Sequence, residues 1–221
     1  MKTTIFPGTI NGLLNLILIT SLYYLFARLG FTWFSFPPGN VNLLSLSSGV
    51  GLLMCLLWGV RAFPFIVIAA FAAHFPLIVE TTWHNNMLYV SVNSLIMGAE
   101  SVLGMMLMRR FLPYGVSRPH HLLKFLLLLC GLVPAISALF LGINLLLSGY
   151  VEAEKFKDLY ITLLIAHALG ILLIYQVFTS FAHSPAVQLS ELNKLWSGAA
   201  IIGLIVILAA TVYGPLIFLL L

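Results

Sequence analysis

Long apolar runs separated by short polar clusters alternate along the chain. The first run, Ile10–Leu29, opens after Pro7-Gly8. An aromatic segment follows, Phe31–Asn40, whose Pro37-Pro38-Gly39 breaks any helix and whose rings suit the headgroup level of a membrane. The second run, Asn42–Val60, stops at Arg61. The third, Pro64–Val79, is short and carries His74-Phe75-Pro76, where a kink is expected. A loop without Lys or Arg, Glu80–Asn86, leads to the fourth run, Leu88–Met108, and then to a basic loop, Arg109–Lys124. The fifth run is Phe125–Leu147, with Pro134 inside it; an acidic and basic loop, Glu152–Asp158, precedes the sixth, Tyr160–Phe181. A polar connector, His183–Lys194, leads to the seventh, Leu195–Val212. After Tyr213-Gly214-Pro215, the apolar stub Leu216–Leu221 reads as the first turn of an eighth, because proline is common at a first helical turn.

Runs near 20 residues match the hydrocarbon thickness as helices. A membrane β-barrel would instead alternate apolar and polar residues in segments of about 10. The pattern therefore predicts an all-α, polytopic transmembrane bundle of seven spans plus the start of an eighth, forming a single domain over residues 1–221. Composition supports this: 62% of the 221 residues are hydrophobic and only 7% charged, against about 25% charged in soluble domains. The net charge of +4 sits in short loops, where it sets topology, so it is no footprint of nucleic-acid binding. Cys55 and Cys130 lie inside apolar runs and read as packing residues.

Lys and Arg in short loops orient such a chain. The loop after the fourth run holds Arg109, Arg110, Arg118 and Lys124 and is assigned to the cytoplasm. Lys2, Arg61 and Lys194 then also fall inside, with the N-terminus cytoplasmic, and the loops around Glu80 and Glu152 fall outside. Arg28 lands on the opposite side.

Polar groups within the apolar runs are the candidates for function. Glu100 lies near the middle of its run; a carboxylate there is neutralised, partnered or set against a wet cavity. Asn93, seven residues earlier, shares its helix face, and Gly104 continues that face with room for a second backbone. The face reads either as the polar lining of a pocket or as a hydrogen-bonded clamp between helices. His74 and His167 could titrate, pair with Glu100, bind a metal, or be satisfied buried imidazoles; no H-x-x-x-H or H-E-x-x-H spacing favours the metal. Trp83, His84, Asn85 and Asn86 form a polar cap that either rims a ligand entrance or is a plain interfacial loop. Arg61 is a further candidate, with orientation as its plain role. Ser45–Gly51, S-L-S-S-G-V-G, reads as small-residue packing. No nucleophile–base pair, phosphate loop, dinucleotide motif or zinc signature is present, so neither an enzyme nor a cofactor is expected.

Three segments together resemble the first MASE family of bacterial membrane-associated sensor domains. Leu46-Ser47-Ser48-Gly49-Val50, followed by Gly59-Val60-Arg61-Ala62-Phe63-Pro64, is similar to that family's L-P-S-G-I and G-x-R-x-W-P. Asn93 through Arg110 is similar to its N-x-x-E-A helix ending in L-L-R-R, and Ala166–Leu172 to its D-A-L-G-V-L-L stretch. Ser47 stands where the proline would be, Phe63 for the tryptophan, and His167 for the acid. The resemblance implies an eight-span inner-membrane input module, embedded in lipid and coupled to a cytoplasmic histidine kinase, diguanylate cyclase or phosphodiesterase. It also allows a transporter-like membrane partner, and a homodimer is a further expectation. The rival expectation is a small transporter or ion- or proton-pathway subunit using Glu100.

Overall fold

The computed structural model describes residues 10–33, 35–36, 41–79, 83–116 and 119–182. The seventh run and the start of an eighth lie outside the described residues. Among the described residues, seven α-helices follow in order: α1 Ile10–Trp33, α2 Leu46–Trp58, α3 Phe63–Val79, α4 Trp83–Phe111, α5 Pro119–Phe125, α6 Val133–Leu147 and α7 Phe156–Ala182. Two two-residue strands, β1 Ser35–Phe36 and β2 Val41–Asn42, pair antiparallel and close the connection between α1 and α2. Their pairing satisfies backbone groups of that connection.

Among the described residues, four stretches are long and apolar enough to cross a membrane: Leu46–Phe75, Met87–Phe111, Pro119–Leu147 and Ala153–Ser180. The first of these folds back on itself. On α2, a side chain at Gly51 would meet Ser101 of α4, Leu52 packs at Gly104, and the Leu56 carbonyl accepts from Arg109 Nη2 at 3.4 Å. Higher numbers on α2 meet higher numbers on α4, so these helices run the same way. On α3 the order is reversed: Phe63 and Val67 pack at Gly98, and His74 meets Asn93. The chain reverses at Gly59, whose φ of 69° a residue with a side chain adopts only at a cost, and in the 3-10 turn Gly59–Ala62 that follows. This is the break expected at Arg61.

Some expected boundaries move. Trp83–Asn86 open α4 and do not form a loop, and α1 continues past Leu29 to Trp33. The basic segment is also largely helical: Arg109 and Arg110 close α4, while His120, His121 and Lys124 lie on α5. Backbone groups at the edge of hydrocarbon are best satisfied within a helix, which favours extending helices into the loops. α3 stays helical through Pro76. Pro134 instead marks an irregularity, because a π-helical stretch, Leu126–Leu132, joins α5 to α6 immediately before it. Proline lacks the N–H of the regular ladder and crowds the carbonyl four residues back, and a widened turn relieves that crowding.

Helices α1 to α4 and α6 share a core that includes Tyr23, Met54, Ile66, Val90 and Leu141. Small residues set the closest approaches. A Cβ on Gly170 of α7 would overlap the Ser45 carbonyl, and one on Gly49 of α2 would overlap the Gly170 carbonyl, so α2 and α7 touch backbone to backbone.

Candidate functional site

Four polar side chains inside the apolar core form two pairs beside one cavity. α4 supplies a member of each, because Asn93 and Glu100, two helical turns apart, both point inward and are buried.

The first pair is Asn93 and His74. The Asn93 amide nitrogen lies 2.8 Å from His74 Nε2, and His74 Nδ1 lies 2.7 Å from the Ala70 carbonyl, one turn back on its own helix. A carbonyl only accepts, so Nδ1 carries the proton and donates; Nε2 then accepts from the amide. The ring is neutral with both nitrogens used. Phe31 of α1 packs its ring against His74 at 4.4 Å between centroids, nearly perpendicular.

The second pair is Glu100 and His167. His167 Nδ1 lies 2.9 and 2.8 Å from the two Glu100 carboxyl oxygens. Their shared proton resides on Nδ1 when Glu100 is ionised and on the carboxyl group when it is neutral, so each group partners the other in either state. An isolated carboxylate at this depth costs several kcal/mol, and this contact offsets that cost. The Ser48 hydroxyl stands 3.1 Å from the same nitrogen and is in turn 2.9 Å from Ser45 Oγ, which lies 3.4 Å from Ser47 Oγ. Ser45 is the residue before α2; its side chain caps no backbone N–H, and its own N–H donates to the Ala166 carbonyl of α7 at 3.1 Å. The backbone contact at Gly170 is what lets this occur. The start of α2 is therefore clamped to α7 one residue from His167.

Between the pairs lies a cavity of about 50 Å³, bounded by His74 and Asn93 on one side and by His167, Ser45 and Ser47 on the other. Glu100 does not line it and sits behind His167. Tyr23 of α1 also faces it; its hydroxyl is fully buried beside Ser47 but makes no hydrogen bond of acceptable geometry. Asn42, at the α1–α2 connection, lines the same cavity, and its side-chain amide oxygen Oδ1 is likewise buried without a partner.

Four of the six candidates from the sequence, Asn93, Glu100, His74 and His167, thus meet in the core. The pairing of Glu100 with a histidine holds for His167, while His74 is taken by Asn93. Arg61 does not join them: it is exposed on the 3-10 turn and does not line the cavity. Trp83 opens α4, and its side chain lies outside the described residues. Ser45, Ser47, Ser48 and Tyr23 were not read as site residues. Three serines within four positions at the start of a span were the available signal. Among the described residues, no three His, Cys, Asp or Glu side chains gather in a metal-binding group.

The segments by which the chain resembles a known family contribute Ser47 and Ser48, Asn93 and Glu100, and His167 to this one cluster. The sequence model of the MASE1 family matches residues 14–221, nearly the whole chain. The chain belongs to the MASE1 family. MASE1 is a family of membrane-associated sensor domains, sensory and not catalytic in character, usually fused to cytoplasmic effector domains. Comparisons with curated proteins and with solved structures give no match. Within this MASE1 chain, the polar cluster is the place where family-like stretches from α2, α4 and α7 come together.

Proposed function

We propose that the chain is the signal-input module of a bacterial inner-membrane receptor, and that its polar core is the input site. A change at the Glu100–His167 pair shifts the packing of α2, α4 and α7, and the chain passes that shift to a cytoplasmic effector, a histidine kinase or a diguanylate cyclase or phosphodiesterase. The observation that carries this reading is the convergence of three family-like segments on one buried cluster. A sensor needs two packings within a few kcal/mol of each other and a signal that prefers one. A titratable pair seated at a backbone-to-backbone helix contact supplies a local change with immediate mechanical consequence.

The loop charges assign a cytoplasmic N-terminus and place the Asn42, His74 and Asn93 end of the core towards the outer face. Seven spans, acting as one domain, complete this reading. Lipid surrounds the module; a transporter-like membrane protein or a second copy of the chain is a further partner consistent with it.

The test joins residues 1–221 to an effector in native membranes and compares effector output in the unmodified chain and in Glu100→Gln at matched protein levels. The expected result is a several-fold change in basal output. Unchanged output would contradict the proposal. A titratable pair beside a polar cavity also suits a proton-pathway subunit. Proteoliposome uptake that depends on pH and is lost in Glu100→Gln would establish that reading in place of the first.

A further inference from the structure

The geometry points to the hydrated proton as the ligand of this core: water occupies the cavity from the Asn42 end, and His167 passes the proton to Glu100. The inference rests on the polar core being the input site and adds what that site binds.

Two buried side-chain atoms without partners, the Tyr23 hydroxyl and the Asn42 amide oxygen Oδ1, belong to residues lining the same cavity. Leaving both dry costs free energy that water removes. A water needs roughly 10–15 Å³ of such space and two or more polar partners, and the cavity of about 50 Å³ offers room for a few, with Ser45, Ser47 and Asn93 as additional partners. Its size excludes most organic ligands, whose pockets run to hundreds of Å³.

His167 both lines this cavity and contacts Glu100. Nδ1 is committed to the carboxylate, which leaves Nε2 as the ring nitrogen for the cavity side. A hydronium in the cavity gives its proton to Nε2 and leaves as water. The N–H bond at Nδ1 breaks as an O–H bond forms on Glu100. The products are a neutral carboxylic acid and a neutral imidazole protonated on Nε2, so charge and atoms balance. The cavity wall has then changed polarity: Nε2 accepted a hydrogen bond before the step and donates one after it. Water, Tyr23 and Ser47 must reorient to match, and these groups sit on α1 and α2, across the clamp to α7.

Other ionisable groups around the pair bear on this step. Tyr23 on α1 lies within electrostatic reach of Glu100, and Cys55 on α2 within reach of Tyr23. His74 on α3 lines the far wall with its ring neutral, and Arg28 on α1 reaches the Ala73 carbonyl behind it at 3.3 Å. On α4 itself, Arg109 turns away to the Leu56 carbonyl, and α6 contributes no acid or base. Among these described groups Glu100 is the only carboxylate.

Infrared difference spectroscopy on the purified, reconstituted chain reads the step directly. On acidification a carboxylic-acid carbonyl band should emerge, shift in deuterated water and be lost in Glu100→Gln. After a pH jump, Asn42→Leu should delay the band several-fold while leaving its final size unchanged. No pH-dependent band in the unmodified chain, or a band retained in Glu100→Gln, would overturn the inference. Should Glu100→Gln fail to fold, ¹⁵N-histidine spectra of the unmodified chain give a second reading. One buried histidine must exchange an Nδ1–H for an Nε2–H signal on acidification, and its absence would overturn the inference equally. A band without any effector response would count against the sensor reading alone; an effector response to another stimulus without a band would count against the proton alone.

Discussion

His74 and His167 are both buried and each holds a side chain of α4, yet their surroundings give them different capacities. His74 donates to its own helix through Nδ1 and accepts an amide N–H through Nε2, so both nitrogens are used and no charge is involved. His167 shares a proton with a carboxylate through Nδ1 and has a serine hydroxyl beside the same nitrogen, while both rings border the cavity. The first arrangement is closed and suited to holding helices together. The second is open to a change of protonation. Burial is nearly equal at the two rings, so the partner and the second nitrogen decide which histidine can respond.

The strongest way to break this comparison is to replace each ring by phenylalanine, which keeps most of the volume. His167→Phe strands the Glu100 carboxylate and should cost about 3–5 kcal/mol of unfolding free energy in detergent. His74→Phe strands only an amide and should cost about 1–3 kcal/mol. Equal costs would erase the distinction. Adding Glu100→Leu to His167→Phe should recover most of the loss, because an apolar pair has no charge to satisfy; a further loss on the same unfolding curve would show that the pair is not coupled.

A smaller effect tests the clamp that positions His167. Gly170→Ala drives a methyl group into the Ser45 carbonyl and should cost about 1–3 kcal/mol, with a lowered thermal midpoint. It should perturb the His167 resonance while leaving that of His74 in place; the reverse would put the α2–α7 contact elsewhere. The smallest effect belongs to Tyr23→Phe. It removes a hydroxyl that makes no bond within the protein, so stability should stay within about 1 kcal/mol of the unmodified chain by thermal unfolding.

The sequence made the bundle legible because apolar runs of span length have few alternatives, and the seven-residue spacing of Asn93 and Glu100 placed both on one face. The same periodicity could not say which helix that face would meet. The contacts Ser48 with His167 and Glu100 with His167 join residues 119 and 67 positions apart and depend on how α2, α4 and α7 pack. For the same reason His74 could not be assigned to Asn93 in preference to Glu100. Ser45, Ser47 and Ser48 were hidden by their ordinary use in close helix packing. Gly49 and Gly51 do serve that use, while Ser45 and Ser47 before them line the cavity and Ser48 reaches His167. The π-helical stretch before Pro134 was also not foreseen, since a proline in a span is accommodated by several local geometries.

The most direct test of the account steps the external pH over membranes carrying this domain joined to an effector and follows effector output. The unmodified chain and His74→Phe should respond, and Glu100→Gln, present at the same level, should not. A Glu100→Gln chain that is folded and responds as the unmodified chain does would contradict the claim that the Glu100–His167 pair is where the signal enters.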